Sequence, residues 1–329
     1  MDKLLSVNDL RTHFYTREGV VHAVNGISFD LEAGETLGIV GESGCGKSVS
    51  MLSLLRLIPQ PPGKILSGSA NFNDIDLLST SEDELRKIRG AKISMVFQDP
   101  MTYFNPVLKV GKQVMEPYLL HNDVSEKEAE ERMFEMFAEV GISNPKGCAE
   151  DYPHQYSGGM RQRAMIAMAL MCSPEILIAD EPTTALDVTI QAQIIDMVRK
   201  LRDDFDMSII WITHDLGIIA NLAQRVIVMY AGYIIEEAYV KDLYKKPLHP
   251  YTIGLLNSLP RLDMKEKEKL NTIEGIPPVM YKETNLCPFA PRCQFAIDKC
   301  LNENPPLERF DNKRSVACWV DVETGKERK

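Results

Sequence analysis

The sequence predicts an α/β fold: a mostly parallel core sheet, an antiparallel β subdomain at its N-terminal end, an inserted helical subdomain and a loop-rich C-terminal extension. Three observations predict it. A short apolar strand, Thr36 to Val40, runs into a glycine-rich loop and then a helix-compatible stretch. Apolar runs at 176–179, 208–213 and 225–229 alternate with a helical segment, as in a parallel sheet. Between these regions, residues from about 110 to 172 carry helical periodicity. The 329 residues suffice for two compact units or one elaborated one. With 37 Lys+Arg against 47 Asp+Glu, the net charge of −10 disfavours affinity through phosphate-backbone neutralisation, so no nucleic-acid partner is expected. No run of 18 apolar residues is available to cross a bilayer, and the polar start Met1-Asp2-Lys3 does not read as a secretory leader; the expected location is cytoplasmic.

Taken in order, the first segment alternates as a half-buried strand (Leu4, Ser6, Asn8, Leu10), and a second strand ends in Ile27, Phe29 and Leu31 before a turn at Ala33-Gly34. The helix after the glycine-rich loop is expected over Ser48 to Ile58, stopped by Pro59. Ser81 to Arg89 reads as a charged helix with Ser81 as N-cap and Glu84 at the capping-box position, followed by a strand at Lys92 to Phe97. In the helical region Met133, Phe134, Met136, Phe137 and Val140 share one face, with the charged run 126–132 turned to water. A helix from Ile190 to Phe205 separates the later strands. After about residue 242 repeated prolines break all periodicity, and Lys265 to Lys269 is a charged stretch. The expected boundaries are therefore 1–241, with the helical part inserted at about 101–173, and 242–329.

Gly41-Glu42-Ser43-Gly44-Cys45-Gly46-Lys47-Ser48 fits G-x-x-x-x-G-K-[ST] in a strand–loop–helix context. Glycines at positive φ let successive N–H groups turn inward around phosphates at the positive end of a helix. Gly41, Ser43, Gly44, Cys45, Gly46, Lys47, Ser48 and Val49 form the expected phosphate-binding set. Lys47 would reach the β and γ phosphates and Ser48 would ligate Mg²⁺. Cys45 reads as a small filler residue. The plainer alternative is a glycine-rich turn before an ordinary helix. Ile176 to Ala179 ends in Asp180-Glu181, where Asp180 is the expected metal partner and Glu181 would accept a hydrogen bond from attacking water. Such a pair also arises as an ordinary polar strand end.

Some twenty residues upstream, Tyr156-Ser157-Gly158-Gly159-Met160-Arg161-Gln162-Arg163 opens a helix, a second anion site. With this element the chain resembles an ABC-transporter ATPase subunit over Leu4 to about Glu237. The resemblance rests on the phosphate loop, Gln98, Ser157-Gly158-Gly159, Asp180-Glu181, Ala185-Leu186-Asp187 and His214. Tyr156 and Met160 depart from the usual Leu-Ser-Gly-Gly-Gln. The resemblance implies an ATP sandwich in which the signature of one subunit closes on nucleotide held by another, a second copy or a paralogous ATPase. It assigns Gln98 to metal and attacking water, His214 to the γ-phosphate, Asp187 to communication across the dimer, and an aromatic, Phe14 with Tyr15 competing, to adenine stacking. Taken singly, His214 reads as a core-edge histidine, Gln98 as a turn residue and Phe14 as packing.

Gln98 to Pro106, Tyr152-Pro153-His154-Gln155 and Leu248-His249-Pro250-Tyr251-Thr252 are similar to the dipeptide/oligopeptide importer branch. That resemblance implies two transmembrane permease subunits, an extracytoplasmic peptide-binding protein acting indirectly, and a peripheral position on the cytoplasmic face of the membrane. Residues 99–110 would receive a short helix of the permease, or form a plain surface loop. A soluble ABC ATPase acting on ribosomes or DNA is the competing reading, disfavoured by the acidic charge and single cassette. Four of seven cysteines fall in the pattern Cys287-x5-Cys293-x6-Cys300-x17-Cys318, without C-x-x-C knuckles. Four thiolates there would hold a [4Fe–4S] cluster, as the resemblance implies, or zinc; free thiols or disulfides are the remaining possibility.

Overall fold

The computed structural model describes residues 3–99, 103–184, 186–259, 273–282 and 284–328. Ala185, residues 100–102 of the stretch after Gln98, and the charged run Lys265–Lys269 lie outside the described residues. The chain divides into two units. One comprises Lys3–Leu31, Thr36–Ser79 and Ile212–Lys329; the other is chiefly Thr80–Trp211 with Glu32–Glu35. Residues after 242 thus group with the glycine-rich loop.

The first unit opens with β1 (Lys3–Thr16) and β2 (Gly19–Glu32), continues through β3 (Thr36–Val40) and the Lys47–Leu54 helix, and adds β4 (Gly63–Phe72) and β5 (Ile75–Asp76). β2, β1, β4 and β5 lie side by side, with β4 antiparallel to β1 from Leu5↔Phe72 to Phe14↔Gly63. The expected alternation of β1 was one residue out of phase. Leu5 and Val7 point inward, and a bulge between Asn8 and Arg11, with Asp9 at φ 44°, shifts the phase so that Leu10 and Thr12 are buried next. In β2, Ile27, Phe29 and Leu31 are buried as their alternation requires. All five residues of β3 are buried, which marks a central strand. The helix after the loop ends at Leu54, short of Ile58.

In the other unit the Glu82–Ile88 helix is capped by Ser81, which accepts from the Glu84 N–H; the Glu84 carboxylate pairs with Lys87 and not with the Ser81 backbone. β6 (Ile93–Val96) and β7 (Ile176–Asp180) pair in parallel, and β8 (Ser208–Thr213) follows β7 in the order. The segment between β6 and β7 folds as helices Val110–His121, Glu126–Glu139, Pro145–Ala149 and Gly158–Leu170. A full capping box, Ser125 with Glu128, starts the second of these. Met133, Met136, Phe137 and Val140 are buried at i, i+3, i+4 and i+7, whereas Phe134 is half-buried.

Back in the first unit, β9 (Arg225–Tyr230) runs parallel to β3, and β10 (Tyr233–Tyr239) returns antiparallel to β9. The C-terminal segment is more ordered than its prolines suggest. It forms helices Val240–Lys245 and Pro250–Asn257, and its β11 (Glu308–Arg309) and β12 (Arg314–Val316) extend the sheet, β12 pairing antiparallel with β10. Leu248-His249-Pro250-Tyr251-Thr252 is the seam. The buried Glu236 of β10 accepts the N–H groups of Leu248 and His249, and His249 Nδ1 accepts the Tyr251 N–H as N-cap of the second helix. Burial, with the Arg328 charge adding, pushes His249 down to about 3 from the ordinary 6.5.

That shift gives a stability prediction. Below pH 6.5 the unfolded chain takes up a proton that the folded His249 refuses. The native state therefore loses stability as pH falls from 6.5 towards 3, by about 2 kcal/mol from this group at pH 5. Burial raises Glu236, which acts in the opposite direction in every variant that keeps it. In urea unfolding, the advantage of wild type over His249→Asn, an isosteric cap without the titration, is expected to shrink between pH 7 and pH 5. An advantage independent of pH would refute the assignment.

Candidate nucleotide site

The residues singled out above fall in both units. The loop Gly41–Lys47 leaves the end of β3 and enters the helix through Gly46, which stands at φ 98° as N-cap and provides no side-chain hydrogen bond to the helix. A glycine at the N-cap brings no side-chain acceptor of its own to the helix start, which suits an anion site. A Cβ on Gly46 would lie 2.4 Å from the Ala23 carbonyl oxygen, and one on Gly41 2.3 Å from that of Met229. Only glycine fits this cradle. Lys47 is buried, and its Nζ donates to the carbonyl oxygens of Gly41 at 2.8 Å and Glu42 at 3.0 Å. Gly232 N–H holds the Cys45 carbonyl at 3.0 Å. Cys45 itself is buried, and burial pushes its thiol up, consistent with a filler residue. Ser43 and Gly44 are exposed, and Ser48 and Val49 half-buried.

Two residues whose part here sequence reasoning missed, Tyr251 and Arg292, hold this loop from outside. Glu42 N–H donates to Tyr251 Oη at 2.8 Å, and Arg292 grips the Glu42 carboxylate with both terminal nitrogens, Nη1 at 2.7 Å and Nη2 at 3.0 Å. An acid inside a loop built for anions calls for a neutralising cation, which is the one signal the sequence carried. Nothing in local pattern says that it comes from residue 292.

In the other unit Asp180 ends β7 and is buried, while Glu181 follows at φ 45°, an uncommon conformation for a non-glycine residue and one that clusters at functional sites. The Glu181 carboxylate accepts from Thr184 Oγ1 at 2.9 Å and from Gln98 Nε2 at 3.4 Å. Gln98 is exposed past the end of β6, between Phe97 and Tyr103, whose rings stack at 3.9 Å. Burial, then the charges of Asp180 and Asp99, push the Tyr103 phenol up. Gln98, Glu181 and Thr184 therefore form one hydrogen-bonded group beside Asp180.

Ser157 is the N-cap of the Gly158–Leu170 helix, accepting the Met160 N–H at 3.2 Å, and Ser157 and Gly158 are exposed. Gly159 lies against Ile190: a Cβ there would be 3.0 Å from its Cγ2. Tyr156, where the family pattern has Leu, is buried and donates to the Cys148 carbonyl at 2.8 Å. Asp187 caps the Val188–Phe205 helix, accepting the N–H groups of Thr189 and Ile190. In the first unit, His214 is exposed just after β8, and Phe14 lies half-buried across from Gly63 while Tyr15 is 50% exposed.

Cys287 and Cys300 are buried, and Cys293 and Cys318 half-buried. Burial, helped by neighbouring cysteines, pushes Cys287 up to about 12 and Cys318 up to about 11, and burial raises Cys293. Burial thus favours the neutral thiol at Cys287, Cys293 and Cys318. The expected metal centre is not formed by their geometry: among the described residues no group of three or more His, Cys, Asp or Glu is arranged to hold a metal ion.

The ABC transporter family model matches residues 24–184, and the oligopeptide/dipeptide transporter C-terminal region matches 235–300. The chain is 48% identical to the oligopeptide transport ATP-binding protein AppD of Bacillus subtilis, over 99% of each chain. It is 50% identical to the dipeptide transport ATP-binding protein DppD of the same organism, covering 97% of this chain and 95% of that one. With the oligopeptide transport ATP-binding protein OppD of Salmonella typhimurium the identity is 51%, over 97% and 94%. Among solved structures, a dimeric ATP-binding cassette in a post-hydrolysis state bound to ADP and phosphate is 27% identical, with a TM-score of 0.65 over 72% of this chain and 98% of that one.

Proposed function

This chain belongs to the ATP-binding proteins of oligopeptide and dipeptide ABC transporters, and from that premise we propose how its residues carry the work. It is an ATPase whose ATP binding and hydrolysis drive peptide uptake. The observation that carries the nucleotide assignment is the helix opened by Gly46 without a side-chain cap, with buried Lys47 donating into the preceding loop. Phosphate oxygens take the place of the Gly41 and Glu42 carbonyls as partners of Lys47, and the loop N–H groups surround them.

Ser48, Asp180 and Gln98 offer a hydroxyl, a buried carboxylate and an amide oxygen, a donor set of the all-oxygen kind that suits Mg²⁺. When bound, that ion spreads the charge of the phosphates. Glu181, oriented by Thr184 and Gln98, accepts the proton of the attacking water; His214 contacts the γ-phosphate; Phe14 stacks on adenine, with Tyr15 the alternative. Ser157, Gly158 and Gly159 cap nucleotide held by a second ATPase, and Asp187 links the two sites. A second copy or a paralogous ATPase, two transmembrane permease subunits and an extracytoplasmic peptide-binding protein complete the machine, with this chain on the cytoplasmic face of the membrane. Among the described residues no helix is long and apolar enough to cross a membrane. The reading is tested by reconstituting the chain with its permease subunits in vesicles: labelled peptide should accumulate only with ATP. Equal ATP-dependent binding to ribosomes or DNA, with no uptake, would favour the soluble alternative.

Residues 242–329 form the peptide-importer extension in this reading, and its four cysteines hold a [4Fe–4S] cluster, with zinc as the alternative. The residue type supports a metal; the unformed geometry does not, and no catalytic step passes through it. Loading would have to release thiol protons. Anaerobically purified chain is expected to carry about four iron atoms and as many acid-labile sulfides. Zinc without iron, or neither, would remove the cluster.

A further inference from the structure

We propose that Arg292, in the C-terminal extension, is a positioning residue for the phosphate loop: it clamps and neutralises Glu42 so that the loop presents its N–H groups and Lys47 to ATP. The inference rests on the reading of Gly41–Ser48 as the nucleotide site. Residue 42 is held on three sides: its N–H by Tyr251 Oη, its carboxylate by Arg292 and its carbonyl by Lys47 Nζ. Arg292 is itself fixed. Its side chain is 6% exposed, its Nε donates to the Glu274 carbonyl at 2.9 Å, its Nη2 to that of Gly275 at 3.1 Å, and its Nη1 to Tyr230 Oη at 3.3 Å. A backbone turn, Arg292 N–H to the Phe289 carbonyl at 2.9 Å, sets its approach, and the Phe289 ring packs edge-on against Tyr230 and Tyr251. A two-pronged guanidinium–carboxylate pair fixes orientation as well as charge, which an ammonium cannot do.

The consequence is electrostatic and geometric. Without Arg292, an uncompensated carboxylate would stand in a loop that must admit a triphosphate, and the carbonyl that Lys47 leaves on binding would lose its fixed frame. The clamp also gives the extension a defined task at the nucleotide site.

The test is ATP titration of the full-length chain, with turnover measured in the complete transporter. Arg292→Ala is expected to weaken ATP binding about tenfold and raise KM in proportion, with maximal turnover changed less than about twofold. Adding Glu42→Gln should restore affinity to within about threefold of wild type, because the unpaired charge is gone. The Arg292→Ala deficit should shrink at high salt. Arg292→Lys should fall between wild type and alanine. Arg292→Gln, which keeps a donor for the Glu274 and Gly275 carbonyls, carries the same test if the alanine variant does not fold. A merely structural Arg292 would lower the melting temperature and leave the double variant no better than the single one; that result, or unchanged affinity in Arg292→Ala, overturns the proposal. Absence of ATP binding in the wild-type chain would instead overturn the nucleotide-site reading on which the clamp depends.

Discussion

Glu181→Gln is expected to bind ATP as wild type does and to hydrolyse it about 10² to 10⁴-fold more slowly. Gln has the shape of Glu, so the amide oxygen can still accept the Thr184 hydroxyl, and the left-handed backbone at residue 181 costs the two side chains about the same. What disappears is the ability to take a proton from water. Binding should persist because, in the proposed site, the phosphate loop and not this carboxylate contacts the triphosphate. Gln98→Ala, which removes a 3.4 Å contact to Glu181, is expected to have a smaller effect, about tenfold. Single-turnover hydrolysis and equilibrium nucleotide binding separate the two quantities. Turnover of Glu181→Gln within about threefold of wild type would take the proton-accepting role away from Glu181.

The contrast between Gln98–Glu181 and Glu42–Arg292 shows what the sequence could reveal and why it stopped there. Residues whose roles follow from a backbone conformation were readable, because glycine spacing and a strand-to-helix transition are local. The phosphate loop, the capping Ser157 and the strand end at Asp180 belong to this class. Secondary structure was legible wherever burial repeats regularly, as in Met133 to Val140, and failed where one residue breaks the repeat, as the Asp9 bulge does in β1. Prolines hid the order of the C-terminal segment, since its stability comes from strands added to β10 and from the Glu236 seam, both long-range. The ion pair between residues 42 and 292 joins positions 250 apart, and no periodicity records such a meeting. Asp187 was read through resemblance as a messenger across a dimer; its observed work is to cap a helix, and that cap fixes where such a messenger would stand.

Gly46→Ala should be, with Gly41→Ala, one of the two most damaging methyl additions to the phosphate loop, lowering ATP affinity on the order of 10²-fold. Two costs combine there. At φ 98° an L side chain is strained by about 1 to 2 kcal/mol, and the added Cβ would stand 2.4 Å from the Ala23 carbonyl oxygen. That oxygen belongs to β2, a strand paired with β1, so it cannot swing aside as a side-chain tip would. The loop must yield instead, and with it Lys47 and the first helical N–H groups, which need their positions to within a fraction of an ångström. Gly44→Ala separates the two costs: φ is 79°, yet a Cβ would have nothing within 4 Å, so only the backbone strain applies and the loss should be about tenfold or less. Gly325→Ala, at φ 68° and equally open but placed in the turn between β13 (Val320–Asp321) and β14 (Lys326–Glu327), should lose a little thermal stability and no affinity. The ranking Gly46, Gly44, Gly325 in ATP titrations is the signature of a cradle shaped by contact. Were Gly46→Ala to bind as tightly as Gly325→Ala, the loop would be tolerating displacement of the groups assigned to the phosphates, and their assignment would fail.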